Sequence, residues 1–251
     1  MATIDLNCDM GEGCANDAEL MDYVSSVNIA CGAHAGDAKI MRRTVECAIE
    51  KGVAIGAHPG YPDRENFGRF AIEMPHSQIY DLVTEQFNTL NKIAVDAGGK
   101  IRHLKPHGAL YNQSARDAGL AATIAQAVFD IDPKLVLFGL SGSVSISEAK
   151  KIGLATASEV FADRSYQSDG SLTPRTKPNA LIHDTDIAIA QVMQMINDGT
   201  VTATDGRVVP ITADTICIHG DGDNALEFAT AIRQRLRVAN IDVAAIVSDT
   251  V

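Results

Sequence analysis

The sequence predicts an α/β fold, an irregular parallel β/α barrel of seven strands, and three observations carry the prediction. Short apolar runs alternate with helix-length amphipathic segments along almost the whole chain. Six runs end in ionisable or small polar residues: Asp5, Asn7 and Asp9; Asn28, Cys31 and His34; His58 with Asp63; Lys105 and His107; Glu159, Asp163 and Arg164; His219 and Asp221. In the first and last runs the residue types alternate, with Ile4, Leu6, Ile216 and Ile218 on one side and Asp5, Asn7, Asp9, Cys217 and His219 on the other. An open sheet covered on both faces would show near-continuous branched apolar runs instead. Closure puts helices outside and polar residues inside, and it gathers the C-terminal strand ends around one mouth.

Strands are expected at residues 3–8, 26–31, 53–57, 101–105, 135–140, 154–161 and 215–219. Helices are expected between them at 16–24, 37–51, 77–97, 116–129, 143–151, 184–198 and 223–238, read from apolar spacing and caps. Asp37 and Gly52 can start and stop the second helix, and Ser77 and Gly98 the third. Two stretches depart from the alternation. Residues 163–180 form a polar loop with prolines, long enough to be a lid or binding segment. Residues 199–213 carry β-branched residues on either side of Asp205-Gly206, a hairpin signal.

With 251 residues, of which 46% are hydrophobic, the chain can bury one sizeable core, so one domain spanning 1–251 is expected. Lysine and arginine number 21 against 32 acidic residues, a formal charge of −11 that disfavours nucleic acid as a partner. The sequence has no apolar run of membrane-spanning length and no basic, apolar leader after Met1, so a cytoplasmic protein without membrane contact is expected. Its five cysteines form no CxxC pair and read as packed, reduced thiols.

Each polar strand end admits a chemical and a structural reading. Asp5 and Asn7 fit a buried hydrogen-bond network, whereas Asp9, nearer the mouth, fits a general base or metal ligand. Small residues around Asn28 and Cys31 let backbone approach a ligand, and His34 reads as a ligand-facing base or a surface histidine. Prolines and glycines hold His58 and Asp63 in a rigid loop, from which Arg69 offers donors to an anion or forms a surface ion pair. Lys105 and His107 bring an amine and an imidazole to one strand end, suited to an oxyanion and a proton shuttle; His103 lies deeper, as a core histidine. Glu159, Asp163 and Arg164 either divide acid and base roles or brace the long loop. His219 precedes two glycines and two aspartates at a helix start. The chain contains no phosphate-loop motif and no convincing dinucleotide fingerprint.

Taken together, NIACGAHAGD, GAHPGYPDRENFGR, KPHGALYN and EVFADRSYQSDGSLTPR, with the opening DLNCDMGEG and the late IHGDG, closely resemble the LamB/YcsF family of 5-oxoprolinase subunits. The resemblance covers nearly the whole chain. Phe70 departs from it, standing where arginine is expected after the FGR element. It implies a barrel similar to the glycoside hydrolase/deacetylase folds and an ATP-dependent opening of 5-oxoproline to glutamate, carried out with two further subunits that handle the nucleotide. The expected catalytic groups are then Asp9, His58, Lys105, His107, Glu159, Asp163 and Arg164, with Asn7, Asn28, His34, Asp63, Arg69 and His219 binding substrate. Two alternatives stand beside this reading. One is a metal-dependent amide hydrolase or carbohydrate deacetylase acting without ATP, with a divalent ion on Asp9, His34 and His58. The other is a carrier that delivers a small acid to its partners without chemistry of its own.

Overall fold

A computed structural model describes residues 2–219 and 225–246. Seven strands close into a parallel ring: β1 (Ala2–Met10), β2 (Ser26–Ala30), β3 (Ala54–His58), β4 (Ile101–Leu104), β5 (Val136–Leu140), β6 (Ala155–Phe161) and β9 (Thr215–His219). β9 completes the ring by pairing with β6 on one side and β1 on the other, matching Asp9 to His219. This is the closed, irregular seven-stranded barrel expected. The predicted hairpin also forms, as β7 (Thr200–Thr202) against β8 (Val208–Pro210). A short tenth strand, β10 (Ile241–Val243), pairs with the first residues of β1, below the point where β1 joins β9; three residues carry too little periodicity to be foreseen.

The helices α2 (Ala38–Lys51), α3 (His76–Asp96), α5 (Ala118–Ile131), α6 (Val144–Lys151), α7 (Thr185–Asp198) and α8 (Ala225–Val238) follow their strands. Asp37 caps α2 by accepting from Lys39 and Ile40 N–H at 2.8 Å, and Gly52 ends it with a φ of 68°. Two expectations are corrected. α3 begins at His76 behind Pro75, without a side-chain cap from Ser77. The helix expected at 16–24 shrinks to α1 (Asp17–Leu20), because Val24 and Ser25 must turn back into the ring and Asp17 is tied to Gly11 N–H at 2.8 Å. An unforeseen short helix, α4 (Gly108–Ser114), follows β4; its Ala109, Leu110 and Tyr111 are consecutive buried residues with no amphipathic period to reveal it.

Outward residues of β1 (Ile4, Leu6, Cys8 and Met10) join the helix faces, including Val45 of α2 and Val83 and Leu90 of α3, in the main core. A smaller apolar cluster, Val136, Phe138 and Ala157, fills the bottom of the ring. There His103 stacks on Phe138 at 4.2 Å, in space that only glycine leaves: a Cβ on Gly56 would sit 2.0 Å from His103 Nε2. Among the described residues no helix is long and apolar enough to cross a membrane.

Candidate active site

Side-chain alternation in the strands directs Asp5, Asn7, Asp9, Asn28, His58, Glu159, Cys217 and their neighbours to the inside of the ring, where they form two layers. The lower layer is a closed hydrogen-bond network. Asp5 accepts from Ser25 and Ser26 at 2.6 and 2.7 Å and from Thr215. Asn7 donates to Thr215 and accepts from Asn28, each at 2.7 Å, and His103 Nε2 meets Asn28 Oδ1 at 2.8 Å. Burial holds His103 down to about 3, so it is neutral. Asp5 is raised, burial outweighing its hydroxyl partners.

The upper layer is charged. Lys105 Nζ lies 2.9 Å from Asp9 Oδ1, 2.8 Å from Glu159 Oε1 and 3.2 Å from Cys217 Sγ, all of them buried. Burial pushes the ammonium pKa down, but Asp9, Cys217 and Glu159 lift it well above the usual lysine range. Burial likewise raises the Asp9 carboxyl, and the opposing pull of His58 and Lys105 holds it well below normal. Above them Glu12 Oε1 stands 3.2 Å from His107 Nδ1 and 3.3 Å from His34 Nε2. Burial raises the Glu12 carboxyl, but the neighbouring imidazoles of His107 and His34 hold it well below the usual carboxylate range. His58 Nε2 is 2.9 Å from His107 Nδ1 and 3.3 Å from Asp9 Oδ2. The histidines pack this closely because Gly60 has no side chain: a Cβ there would fall 2.7 Å from His34 Nδ1.

A cavity of about 710 Å³ opens over this layer. Asp9, Glu12, His58, Lys105, His107 and His219 line it, as do Arg69, Arg116, Arg164, Arg175 and Lys177. His219 Nδ1 is 2.8 Å from Asp163, whose carboxyl stays low: burial raises it, but His219 outweighs that. Arg164 donates to the carbonyls of Thr173 (2.7 Å) and Ala180 (3.3 Å), so the long loop is folded back on a buried guanidinium, which burial and Arg175 lower to about 10. Of the residues expected to touch substrate, Arg69 and His219 line the cavity. Asn7, Asn28 and His34 are buried outside its lining, and Asp63 accepts from Asn66 Nδ2 at 2.9 Å, bracing its own loop. Asp221 and the glycines beside it lie outside the described residues. Cys31 is a packed thiol, pushed up to about 12 by burial.

Residues 4–250 match the LamB/YcsF family. The chain belongs to that family. A lactam utilization protein from Thermus thermophilus is 40% identical, with a TM-score of 0.90 over 97% of this chain and all of that one. At the level of fold alone, the barrel is similar to a family 4 carbohydrate esterase from Streptomyces lividans bound to acetate (12% identity, TM-score 0.54, covering 99% and 95% of the two chains). A polysaccharide deacetylase from Bacillus cereus gives 13% identity and a TM-score of 0.52 over 100% and 95%.

Two residues of the candidate site, Glu12 and Cys217, are not singled out by sequence. Glu12 follows the strand in the DLNCDMGEG block, but as the third acid of that block it carried no mark that separated it from Asp5 and Asp9. Strand alternation would send it outward with Met10; the available signal is its place between Gly11 and Gly13, where a turn can redirect the chain. Cys217 was assigned to the inward face, and its contact with Lys105 is visible only once the ring closes. Glu12, His34, His58 and His107 form one group able to offer ligand atoms to a metal, and Asp9, Cys217 and His219 a second. The ion expected on Asp9, His34 and His58 thus meets a divided set: His34 and His58 fall in the first group and Asp9 in the other.

Proposed function

We propose that this chain binds 5-oxoproline at the barrel mouth and opens its lactam to glutamate, as one subunit of an ATP-dependent 5-oxoprolinase. The observation that carries the reading is the cavity: hydrolytic groups on its floor and Arg69, Arg116, Arg175 and Lys177 along its walls, in a chain of net charge −11. Cations concentrated at one cleft of an acidic protein favour an anionic ligand, and 5-oxoproline carries a carboxylate. Family membership and the 40% identity to a lactam utilization protein support the choice of a cyclic amide.

Hydrolysis adds water oxygen to the lactam carbon, breaks the ring C–N bond and leaves a second carboxylate and an amine. Asp9, His58 and His107 are placed to take the proton from water, and the Lys105 ammonium to balance charge on the carbonyl oxygen. His219, oriented by Asp163, is placed to protonate the departing nitrogen. An unactivated lactam is a poor electrophile, so we assign the ATP step, transfer of the terminal phosphoryl group to the amide oxygen with release of ADP, to two partner subunits; C–N cleavage by the first water then leaves a carboxyl phosphate, which a second water splits to the carboxylate and inorganic phosphate. The lack of a phosphate-loop motif here supports that division. A second reading, ATP-independent amide or deacetylase-type hydrolysis, is favoured by the Glu12 donor group. A divalent ion held there would supply an acidified water.

Glutamate release by the chain co-expressed with its two partner subunits, with and without ATP, is the test. Release that requires ATP and all three chains is the expected result. Release by the isolated chain without ATP would favour the second reading, and no release under any condition would overturn the lactam assignment.

A further inference from the structure

We propose that Glu12, His58 and His107 form a site for a divalent first-row transition ion, with zinc the best match to the donors and the open coordination position facing the cavity. Backbone partners fix the ring hydrogens of both neutral histidines. His58 Nδ1 lies 2.7 Å from the carbonyl of Lys105 and His107 Nε2 lies 2.8 Å from the carbonyl of Phe67. A carbonyl only accepts, so each of these nitrogens carries its ring's hydrogen. Phe67 is held at a φ of 57°, in the left-handed region that a phenylalanine seldom occupies. In the neutral rings His58 Nε2 and His107 Nδ1 are then both bare lone pairs, yet they face each other at 2.9 Å.

Glu12 Oε1 joins them, 3.2 Å from His107 Nδ1 and 3.8 Å from His58 Nε2. With both rings neutral, three electron-rich atoms therefore converge with no hydrogen between them. With bonds of 2.0–2.1 Å, donors around a tetrahedral zinc stand roughly 3.3–3.5 Å apart, and the three distances scatter about that value. Both outer ring nitrogens donate to backbone carbonyls, as metal-bound histidines do. Asp9 and Glu159 lie 2.9 and 2.8 Å from the Lys105 ammonium, and Glu12 adds a further carboxyl group beside the two imidazoles. Two imidazoles and a carboxylate suit zinc over magnesium or calcium, which prefer oxygen.

His34 belongs to the same cluster but is not a ligand. Its ring stacks on His107 at 3.7 Å with an interplanar angle of 2°, so one ion cannot lie in both ring planes. His34 instead steadies Glu12 from behind, and Glu12, His58 and His107, unlike His34, line the cavity. With both histidines committed to the ion, Asp9 Oδ2 remains as the base beside it, its other oxygen held by Lys105 and Asn28 at 2.9 and 2.8 Å. The competing occupant is a proton shared between His58 and His107.

The test uses the full chain stripped with a chelator and titrated with Co²⁺, then Zn²⁺, without substrate. We expect one equivalent of Co²⁺ with the visible absorption of a low-symmetry, four- or five-coordinate site, displaced by Zn²⁺. Glu12→Gln and His107→Gln should each weaken binding by more than about 100-fold, beyond the 10–100-fold typical of losing an outer partner; His76→Gln, at an exposed histidine, should not. No stoichiometric binding by the wild-type chain, which needs no variant to fold, would overturn the proposal. So would unchanged affinity in both ligand variants, or imidazole nitrogen resonances of His58 and His107 that Zn²⁺ leaves in place. The proposal rests on neither reading of the reaction. A chain that binds zinc here but never yields glutamate breaks only the lactam assignment, and turnover with no metal bound breaks only this one.

Discussion

Asp5 and Asp9 stand four residues apart on one strand, both facing the barrel interior, and their surroundings are opposite. Around Asp5 are three hydroxyl donors, Ser25, Ser26 and Thr215, and its carboxyl is raised. Asp9 meets an ammonium and an imidazole, and its carboxyl is depressed. Neutral donors can satisfy a buried acid without drawing it into ionisation, whereas a buried countercharge makes ionisation the stable state. One strand thus carries an acid satisfied by hydroxyls at its base and one held by countercharge at its mouth, separated by one further inward residue, Asn7.

The largest expected effect breaks the charged layer. Lys105→Met removes the countercharge of Asp9 and Glu159, and urea unfolding near neutral pH should show a loss of about 3–5 kcal/mol, typical of stranding a buried charge. Because the stranded carboxylates then bind protons more readily when folded, part of the loss should return as pH falls; an unchanged stability would show that the layer is not held by charge. Next comes the lower layer. Thr215→Val deletes the donor to Asp5 and the acceptor for Asn7 and should cost about 1–3 kcal/mol, with turnover within a few-fold of wild type. A drop in turnover beyond tenfold would erase the distinction between the layers.

The third difference is in pH dependence. His34 and His103 are lowered by burial to about 4 and about 3 from 6.5, so below pH 6.5 the unfolded chain takes up protons that the folded chain refuses. Stability should therefore fall as pH drops from 6.5 towards 3–4, by at most about 1.4 kcal/mol per pH unit for each histidine. Thermal unfolding of His103→Asn should follow a shallower acid slope than wild type. Equal slopes would mean that His103 is protonated in the folded state.

Much of the fold was legible because strand and helix periods are local. The alternation of Ile4 and Leu6 with Asp5 and Asn7 placed β1 correctly, and Asp37 and Gly52 bounded α2. α4 and β10 escaped because seven and three residues are too few to express a period. In the site, His58, Lys105 and His107 were readable from their strand ends. Asn7 and Asn28 looked the same in sequence yet lie under the cavity, since position along the barrel axis depends on strand stagger rather than on residue type.

The order of residues by itself determined which side chains enter the barrel, because a strand alternates with period two and a slip of one residue would bury the wrong face. Ring closure decided which of them became partners. Lys105 meets Asp9 across 96 positions and His107 meets His58 across 49, distances at which no local period operates. Which side chains surround Glu12 depends on such encounters, and so belongs to the tertiary structure.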